Sequence, residues 1–327
     1  MAQFDKPLAE LQTYHPEIDE PADFDAFWQQ TLNEAAAFDI DATFEPYTDL
    51  RLPATHVFDV SFNGFGGQSV KGWLLLPNNA DSPLPCVVSY VGYGGGRSLP
   101  IAHTWMSAAG MAHFVMDSRG QGSHWSPGDT PDDYPAGAPQ AAGFLTRGID
   151  APQSYYYRRL ITDAVRALQA AAAHPQIDAN RLAVAGGSQG GTLALAAAAL
   201  SPQKPVVAMV DVPFLCHVQR AVTITDQPPY AELQRYLSCQ HERAAQAMNT
   251  LAYFDGCHFA KRFTVDCFFS AALMDQICPP SCVFAAYNRI EDAKKHIDVF
   301  PYNGHEGGDV LQLTRRVQRL QASFGIA

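Results

Sequence analysis

Gly186, Ser188 and Gly190 form a Gly-x-Ser-x-Gly motif within Ala183-Val184-Ala185-Gly186-Gly187-Ser188-Gln189-Gly190-Gly191-Thr192-Leu193. An apolar, strand-like run precedes the serine and a helix of small residues follows it, which is the setting of a nucleophile elbow. Such a turn strains the backbone at the serine and packs helix against strand so closely that the flanking positions must be glycine or very small. A plain strand-to-helix turn is the competing reading. A serine hydroxyl is a weak nucleophile alone, so acyl transfer through Ser188 needs a base and an acid. In this architecture they follow in the order Ser, then Asp or Glu, then His.

The histidines after Ser188 are His217, His241, His258, His296 and His305. His296 starts a strand-like run, and His217, His241 and His258 fall in a segment that interrupts the strand pattern. His305 lies in Tyr302-Asn303-Gly304-His305-Glu306-Gly307-Gly308, after the last strand and before the final helix. A loop at the carboxyl end of a strand can carry an imidazole to the elbow, so His305 is read as the base. Asp266 and Asp275 bracket one strand-like run, Val265 to Met274. Asp266 stands at its entering end, the wrong edge of the sheet, whereas Asp275 lies just past the exit, where ligands of open α/β sheets collect. A turn or helix N-cap aspartate is the alternative for Asp275. As the acid it would accept the imidazole N–H, fix the tautomer and stabilise the imidazolium.

An oxyanion hole requires one backbone N–H from the residue after the nucleophile, Gln189, and a second from a loop after an early strand. Tyr90-Val91-Gly92-Tyr93-Gly94-Gly95-Gly96 is such a loop. Its glycines, Gly92 first, permit close backbone approach to a substrate, and Tyr93 is assigned the second donor. No complete phosphate-cradling glycine pattern occurs, His305-Glu306 lacks the second histidine of a zinc protease, and Cys278-x-x-x-Cys282 lacks a second ligand pair. The motifs therefore require neither metal nor cofactor.

Positioning these groups takes a sheet. Apolar runs of strand length occur at Pro85–Val91, Met111–Met116, Arg181–Ala185, Val206–Val212, Phe263–Ser270 and His296–Phe300. Near-continuous apolar runs mark strands buried on both faces. Helix-period segments lie between them, the clearest at Ser154–His174, where Tyr157, Leu160, Ile161, Ala164, Val165 and Leu168 form one apolar stripe. Strand alternating with helix predicts an α/β fold with a doubly wound, mostly parallel sheet. A helix opens the chain around Asp23–Phe38, and Thr55–Phe62 with Val70–Leu76 read as an antiparallel hairpin before the parallel strands. Two segments depart from the alternation. Asp117–Ser154 is crowded with Gly, Pro and Asp (Ser126 to Asp133 above all), and so long an irregular stretch is more often functional than idle. Phe214–Arg262 is polar, reads as helical from Tyr230 to Leu251, and is an inserted segment: surface elaboration on one reading, lid or oligomer contact on the other.

The chain has 327 residues, 47% of them apolar and 17% charged, the composition of a globular protein that needs no disulfides to fold. The length is read as one α/β domain, residues 1–327, carrying the 214–262 insertion. Its 22 Lys and Arg against 33 Asp and Glu give a net charge of −11 without clustered basic residues, which argues against nucleic acid or anionic membranes as partners. No apolar stretch approaches the ~20 residues of a membrane helix. The N-terminus has no signal-peptide pattern. Seven cysteines at irregular spacings read as reduced thiols, hence a cytoplasmic protein.

Arg119-Gly120-Gln121, Gly186-Gly187-Ser188-Gln189-Gly190 and His305-Glu306, in this order, resemble the signature set of the acetyl xylan esterase/cephalosporin C deacetylase family (carbohydrate esterase family 7), a group of α/β-hydrolases. Phe4-Asp5-x-Pro7-Leu8, Tyr155-Tyr156-Tyr157-Arg158 with Asp163-Ala164-Val165-Arg166-Ala167, Gln227-Pro228-Pro229-Tyr230, and Cys278-Pro279-Pro280-Ser281 through Phe284-Ala285-Ala286-Tyr287-Asn288 are similar to it too, so the resemblance spans nearly the whole chain. It implies Ser188 as nucleophile, Asp275 as acid, His305 as base, and Tyr93 and Gln189 in the oxyanion hole. Val91 departs from the polar residue usual before Gly-Tyr, which bears on side-chain bracing of that loop and not on its backbone donor. The resemblance further implies removal of O-acetyl groups from small acetylated sugars and from the cephalosporin 3′-position, and a homo-hexamer in which the insertion is a contact. A serine peptidase or broad-specificity carboxylesterase on the same fold, and a non-catalytic binding scaffold, are the alternatives.

Overall fold

The computed structural model describes residues 3–78, 83–132 and 140–326. Asp133 and the rest of 133–139, part of the irregular Asp117–Ser154 segment, lie outside the described residues. Nine strands among the described residues make one sheet: β1 (Thr43–Pro46), β2 (Thr55–Asn63), β3 (Ser69–Pro77), β4 (Leu84–Tyr90), β5 (Ala112–Met116), β6 (Ile177–Gly187), β7 (Val207–Asp211), β8 (Asp266–Ala272) and β9 (Lys295–Phe300). Their order is β1-β2-β3-β5-β4-β6-β7-β8-β9. The first three pair antiparallel, β3 joins β5 antiparallel, and β5-β4-β6-β7-β8-β9 are parallel. The fold is the doubly wound α/β arrangement of the α/β-hydrolases. The expected hairpin is β2–β3, with Thr55 opposite Pro77 and Asn63 opposite Ser69; β1, too short and half polar to give a pattern, was not expected.

Two helices precede the sheet, α1 (Leu8–Leu11) and α2 (Phe24–Ala36), and α3 (Thr104–Ala108) links β4 to β5. Then come α4 (Tyr156–Ala172), α5 (Gln189–Leu200), α6 (Val218–Ile224), α7 (Tyr230–Cys239), α8 (Ala244–Ala252), α9 (Gly256–Lys261), α10 (Pro280–Tyr287) and α11 (Asp309–Phe324). One face of the sheet carries the larger core, which includes Val88, Val184 and Val210 with Leu160, Ile161 and Leu195. Leu320 and Phe324 of α11 and Met106 of α3 cover Val87, Ala185 and Met209 on the other. Coverage on both faces is why the parallel strands read as unbroken apolar runs.

The α4 stripe is buried as expected, but Arg158, Asp163 and Arg166 on its other side are buried as well. Burial of charge is tolerated because each is paired with an opposite charge or hydrogen-bonded to backbone carbonyls. Arg119, fully enclosed, donates through Nε and Nη2 to the two oxygens of Asp163 at 2.5 and 2.8 Å. Arg158 reaches Glu34 at 2.6 Å, and Arg166 donates to the carbonyls of Ala35 and Phe38 at 2.7 and 2.6 Å. Removing one member of a buried pair leaves the other charge unpaired in the core, so Arg119→Ala is expected to cost about 3 kcal/mol of stability. The urea midpoint measures this, and an unchanged midpoint would contradict it.

The segment 214–262 is polar in composition, yet Phe214, Tyr230, Leu233, Leu251, Phe254 and Phe259 belong to the main core. The helical stretch Tyr230–Leu251 is broken, because Gln240 leaves the helical region (φ −109°, ψ 57°) between α7 and the turn at His241–Arg243 that leads into α8. Strand β8 begins at Asp266 rather than Phe263, since Phe263 still donates to the carbonyl of Ala260 at the end of α9.

Candidate active site

The sheet order reverses at β4, whose neighbours are β5 on one side and β6 on the other, and a crevice opens at the carboxyl ends of such strands. Strand β6 runs into this point and delivers Ser188 at φ 56°, ψ −124°, a region L-residues rarely adopt. Neighbours over-determine the strained turn. Ser188 N donates to Asp211 O at 3.0 Å, and Ser188 O accepts from Phe214 N at 3.1 Å and Thr192 N at 3.2 Å. A Cβ on Gly186 would collide with the carbonyl of Gly190, and one on Gly190 with the carbonyl of Tyr90. The two motif glycines are therefore steric requirements of the elbow.

Asp275 lies three residues past β8 and is fully buried. Its Oδ1 accepts from the backbone N–H groups of Ile277 and Cys278 at 2.8 and 2.9 Å, which leaves Oδ2 to His305 Nδ1 at 2.9 Å. Asp266 is the exposed first residue of β8, at the opposite edge, and accepts from Lys294 N at 3.2 Å. His305 is half-buried in the loop between β9 and α11. Glu306 Oε1 ties that loop together by accepting from Asn303 Nδ2 at 2.9 Å and Gly304 N at 3.1 Å. Gly308 (φ 91°) must be glycine, since a Cβ there would enter the Phe300 ring.

Ser188 and His305 line one cavity of about 610 Å³. Among the described residues no hydrogen bond joins their side chains; the neighbour of Ser188 Oγ is Cys278 Sγ at 3.9 Å. Catalytic hydrogen bonds in unliganded enzymes are often loose and tighten when substrate binds. Cys278, read from the sequence as half of an incomplete ligand pair and as part of the Cys278-Pro279-Pro280-Ser281 motif, instead stands beside the serine, three residues after the acid. Burial and the nearby Asp275 push its thiol pKa well above the ordinary range, so it stays a neutral S–H. Asp275, Cys278 and His305 bring one potential metal-ligand atom each within 4.8 Å of one another. Two of those groups are already committed to each other through the carboxylate–imidazole bond.

The loop after β4 and the start of α5 face each other across the serine. Gln189 opens α5, where the first backbone N–H groups have no acceptor inside the helix. Its buried side chain bolts the two elements together: Nε2 donates to Val91 O at 3.2 Å, and Oε1 accepts from Gln121 Nε2 and Tyr157 OH, both at 2.9 Å. Gln121 Oε1 in turn accepts from Gly94 N at 2.6 Å. The bracing thus uses the backbone carbonyl of Val91, which any residue at that position supplies. Trp125, from the irregular segment, donates Nε1 to Tyr93 O at 2.8 Å, and its ring lies 3.5 Å from where a Cβ on Gly92 would be. Pro228, Pro229 and Glu232 bring the insertion to the same cavity. On another wall His113 is held by Ser89 Oγ at 2.8 Å and the carbonyl of His103 at 3.0 Å; burial drives its pKa down to about 3 and keeps the imidazole neutral.

Comparison with known proteins gives the family. The profile of the acetyl xylan esterase (AXE1) family matches residues 1–322. An acetyl xylan esterase from Paenibacillus sp. R4 is 36% identical, with a TM-score of 0.89, over 97% of this chain and 99% of that one. Acetyl xylan esterase 1 from Thermoanaerobacterium sp. JW/SL YS485 is 30% identical, with a TM-score of 0.87 and the same coverage of 97% and 99%. Acetyl esterase Axe7A of Xylanibacter ruminicola is 25% identical over 308 residues, and the match spans 89% of this chain but 64% of that longer protein. The chain belongs to the acetyl xylan esterase family of carboxylic ester hydrolases.

Proposed function

We propose that the protein is a serine esterase that removes O-acetyl groups from small acetylated sugars, xylo-oligosaccharides in particular, and from cephalosporin C. The observation that carries the reading is the 2.9 Å contact between Asp275 and His305 Nδ1 beside a serine held at φ 56° on the same cavity. Ser188 Oγ attacks the acetyl carbonyl while His305 Nε2 takes its proton, and Asp275 stabilises the imidazolium. The backbone N–H groups of Gln189 and Tyr93 hold the oxyanion, with Gly92 and Tyr93 lining the substrate's approach. Collapse of the tetrahedral intermediate breaks the bond to the sugar oxygen, which leaves with the proton from His305. Water, deprotonated by His305, then attacks acetyl-Ser188 and releases acetate. The chemistry uses no metal and no cofactor. Titration with a serine-reactive phosphonate, beside rates on acetyl esters of increasing acyl length and on aminoacyl amides, tests the assignment. Phosphonylation at Ser188 with preference for acetate supports it, and amide cleavage at comparable rates would favour a peptidase instead.

The family resemblance supports a hexamer, with 214–262 forming both a wall of the site and a subunit contact within a single-domain chain. Seven free thiols favour a reducing compartment, the cytoplasm, where only fragmented sugars would reach the enzyme. If assembled subunits restrict access, kcat/KM falls as acetylated xylo-oligosaccharides lengthen and is lowest on polymeric xylan, while aryl acetates are unaffected. Light scattering beside that series checks both parts: a monomer, or equal rates on disaccharide and polymer, contradicts the restriction.

A further inference from the structure

Tyr93 is assigned above through its backbone, yet its side chain is the most heavily bonded group in the loop after β4. Its hydroxyl accepts from the backbone N–H groups of Gly143, Phe144 and Leu145 at 3.3, 2.9 and 3.2 Å. With its lone pairs so occupied, the hydroxyl has its proton to donate, and it donates to Glu232 Oε2 at 2.5 Å. Glu232 stands on α7 of the inserted segment, 139 positions along the chain, and lines the active-site cavity. The Tyr93 ring packs against Phe144 and Phe214, with centroids at 5.6 and 6.0 Å.

We propose that Glu232 is a positioning residue for catalysis: through the Tyr93 hydroxyl it fixes the loop whose Tyr93 N–H binds the oxyanion, and so ties the insertion to the rate of acyl transfer. The proposal rests on the reading of Tyr93 as an oxyanion donor. An oxyanion hole works only when its donors are held in place before charge develops. Gly92, Gly94, Gly95 and Gly96 make this loop intrinsically free, so side-chain anchors must supply its rigidity. Trp125 and Gln121 anchor it from the irregular segment, and Glu232 is its anchor from the insertion. Burial raises the pKa of both partners, and the Glu232 charge adds to the rise at Tyr93, so the tyrosine stays protonated and able to donate.

The test uses Glu232→Ala, Glu232→Gln, Tyr93→Phe and the double variant Tyr93→Phe/Glu232→Ala, assayed on a small aryl acetate. One oxyanion donor is worth about 10²–10³-fold in kcat. Loosening one without removing it should cost about tenfold, with KM changed less than about twofold. Tyr93→Phe keeps the ring contacts and loses only the hydroxyl. Glu232→Gln still presents an accepting oxygen and should restore most of kcat. If the two residues act through one bond, the double variant is no slower than the slower single variant. Multiplicative losses in the double variant, an effect confined to KM, or Gln as impaired as Ala would each overturn the proposal. Glu232 is only half-buried, so its variants fold even if Tyr93→Phe does not, and the Ala and Gln contrast then decides alone. Ser188→Ala separates the two levels. An inactive Ser188→Ala with wild-type kcat in Glu232→Ala removes the positioning role and leaves the esterase reading standing. Turnover retained in Ser188→Ala removes the reading on which the proposal rests.

Discussion

Ser188→Ala is expected to turn over aryl acetates at least roughly 10³-fold more slowly than the wild-type protein, with the fold intact. The loss follows from removing the atom that forms the acyl intermediate; what survives is the contribution of binding and oxyanion donors to direct attack by water. The fold survives because alanine is no worse than serine at φ 56°, the three backbone hydrogen bonds of residue 188 are unchanged, and among the described residues the hydrogen-bond partner of the lost hydroxyl is the Cys278 sulfur at 3.9 Å. Steady-state kcat beside a thermal melt measures both parts. Near-wild-type turnover would remove Ser188 from the reaction, and a collapsed melting transition would show that the hydroxyl is structural.

Asp275→Asn is expected to cost about 10⁴-fold in kcat, and Asp266→Asn no more than a few-fold. At position 275 the asparagine can keep the two backbone N–H groups of Ile277 and Cys278 on its carbonyl oxygen. Its amide nitrogen then faces His305 Nδ1 and donates where the carboxylate had accepted. The imidazole is driven to the tautomer with its proton on Nε2, which cannot take the serine proton. Asp266 sits exposed at the far edge of the sheet, where its substitution alters one surface contact with the Lys294 backbone. Measuring kcat for both variants on one substrate decides: a larger loss at Asp266 would mean that the acid does not stand at the exit of β8.

The local parts of the site were legible because local sterics dictate them. The need for glycine at 186 and 190 could be recognised early, since the collision a Cβ would make there is with backbone only a few residues away or on the adjacent strand. Asp275 and His305 could be picked out because strand direction sorts loops into those at the site and those at the opposite edge. The α4 stripe illustrates the boundary of such reasoning. Its apolar period marks the face turned to the core but carries no information on Arg158, Asp163 and Arg166, which are buried as well because α2 and the Arg119 segment cover them. Segment 214–262 hides its core residues for a related reason: its polar composition averages over helices that also bury apolar residues such as Leu233, Leu251 and Phe259.

What the sequence by itself determined is the α/β frame, the strained serine turn and the order of the three groups along the chain. Strand periodicity, glycine sterics and parallel strand direction act over a few residues or follow from topology. Only the tertiary structure decided which atoms meet: Asp275 Oδ2 with His305, Cys278 beside Ser188, Arg119 on Asp163, and Glu232 beneath Tyr93. Such pairings depend on side-chain direction and on segments many residues apart packing together. Hydrophobic patterning records that a residue is buried, whereas the partner that satisfies its polar group is selected by the packing of the whole chain.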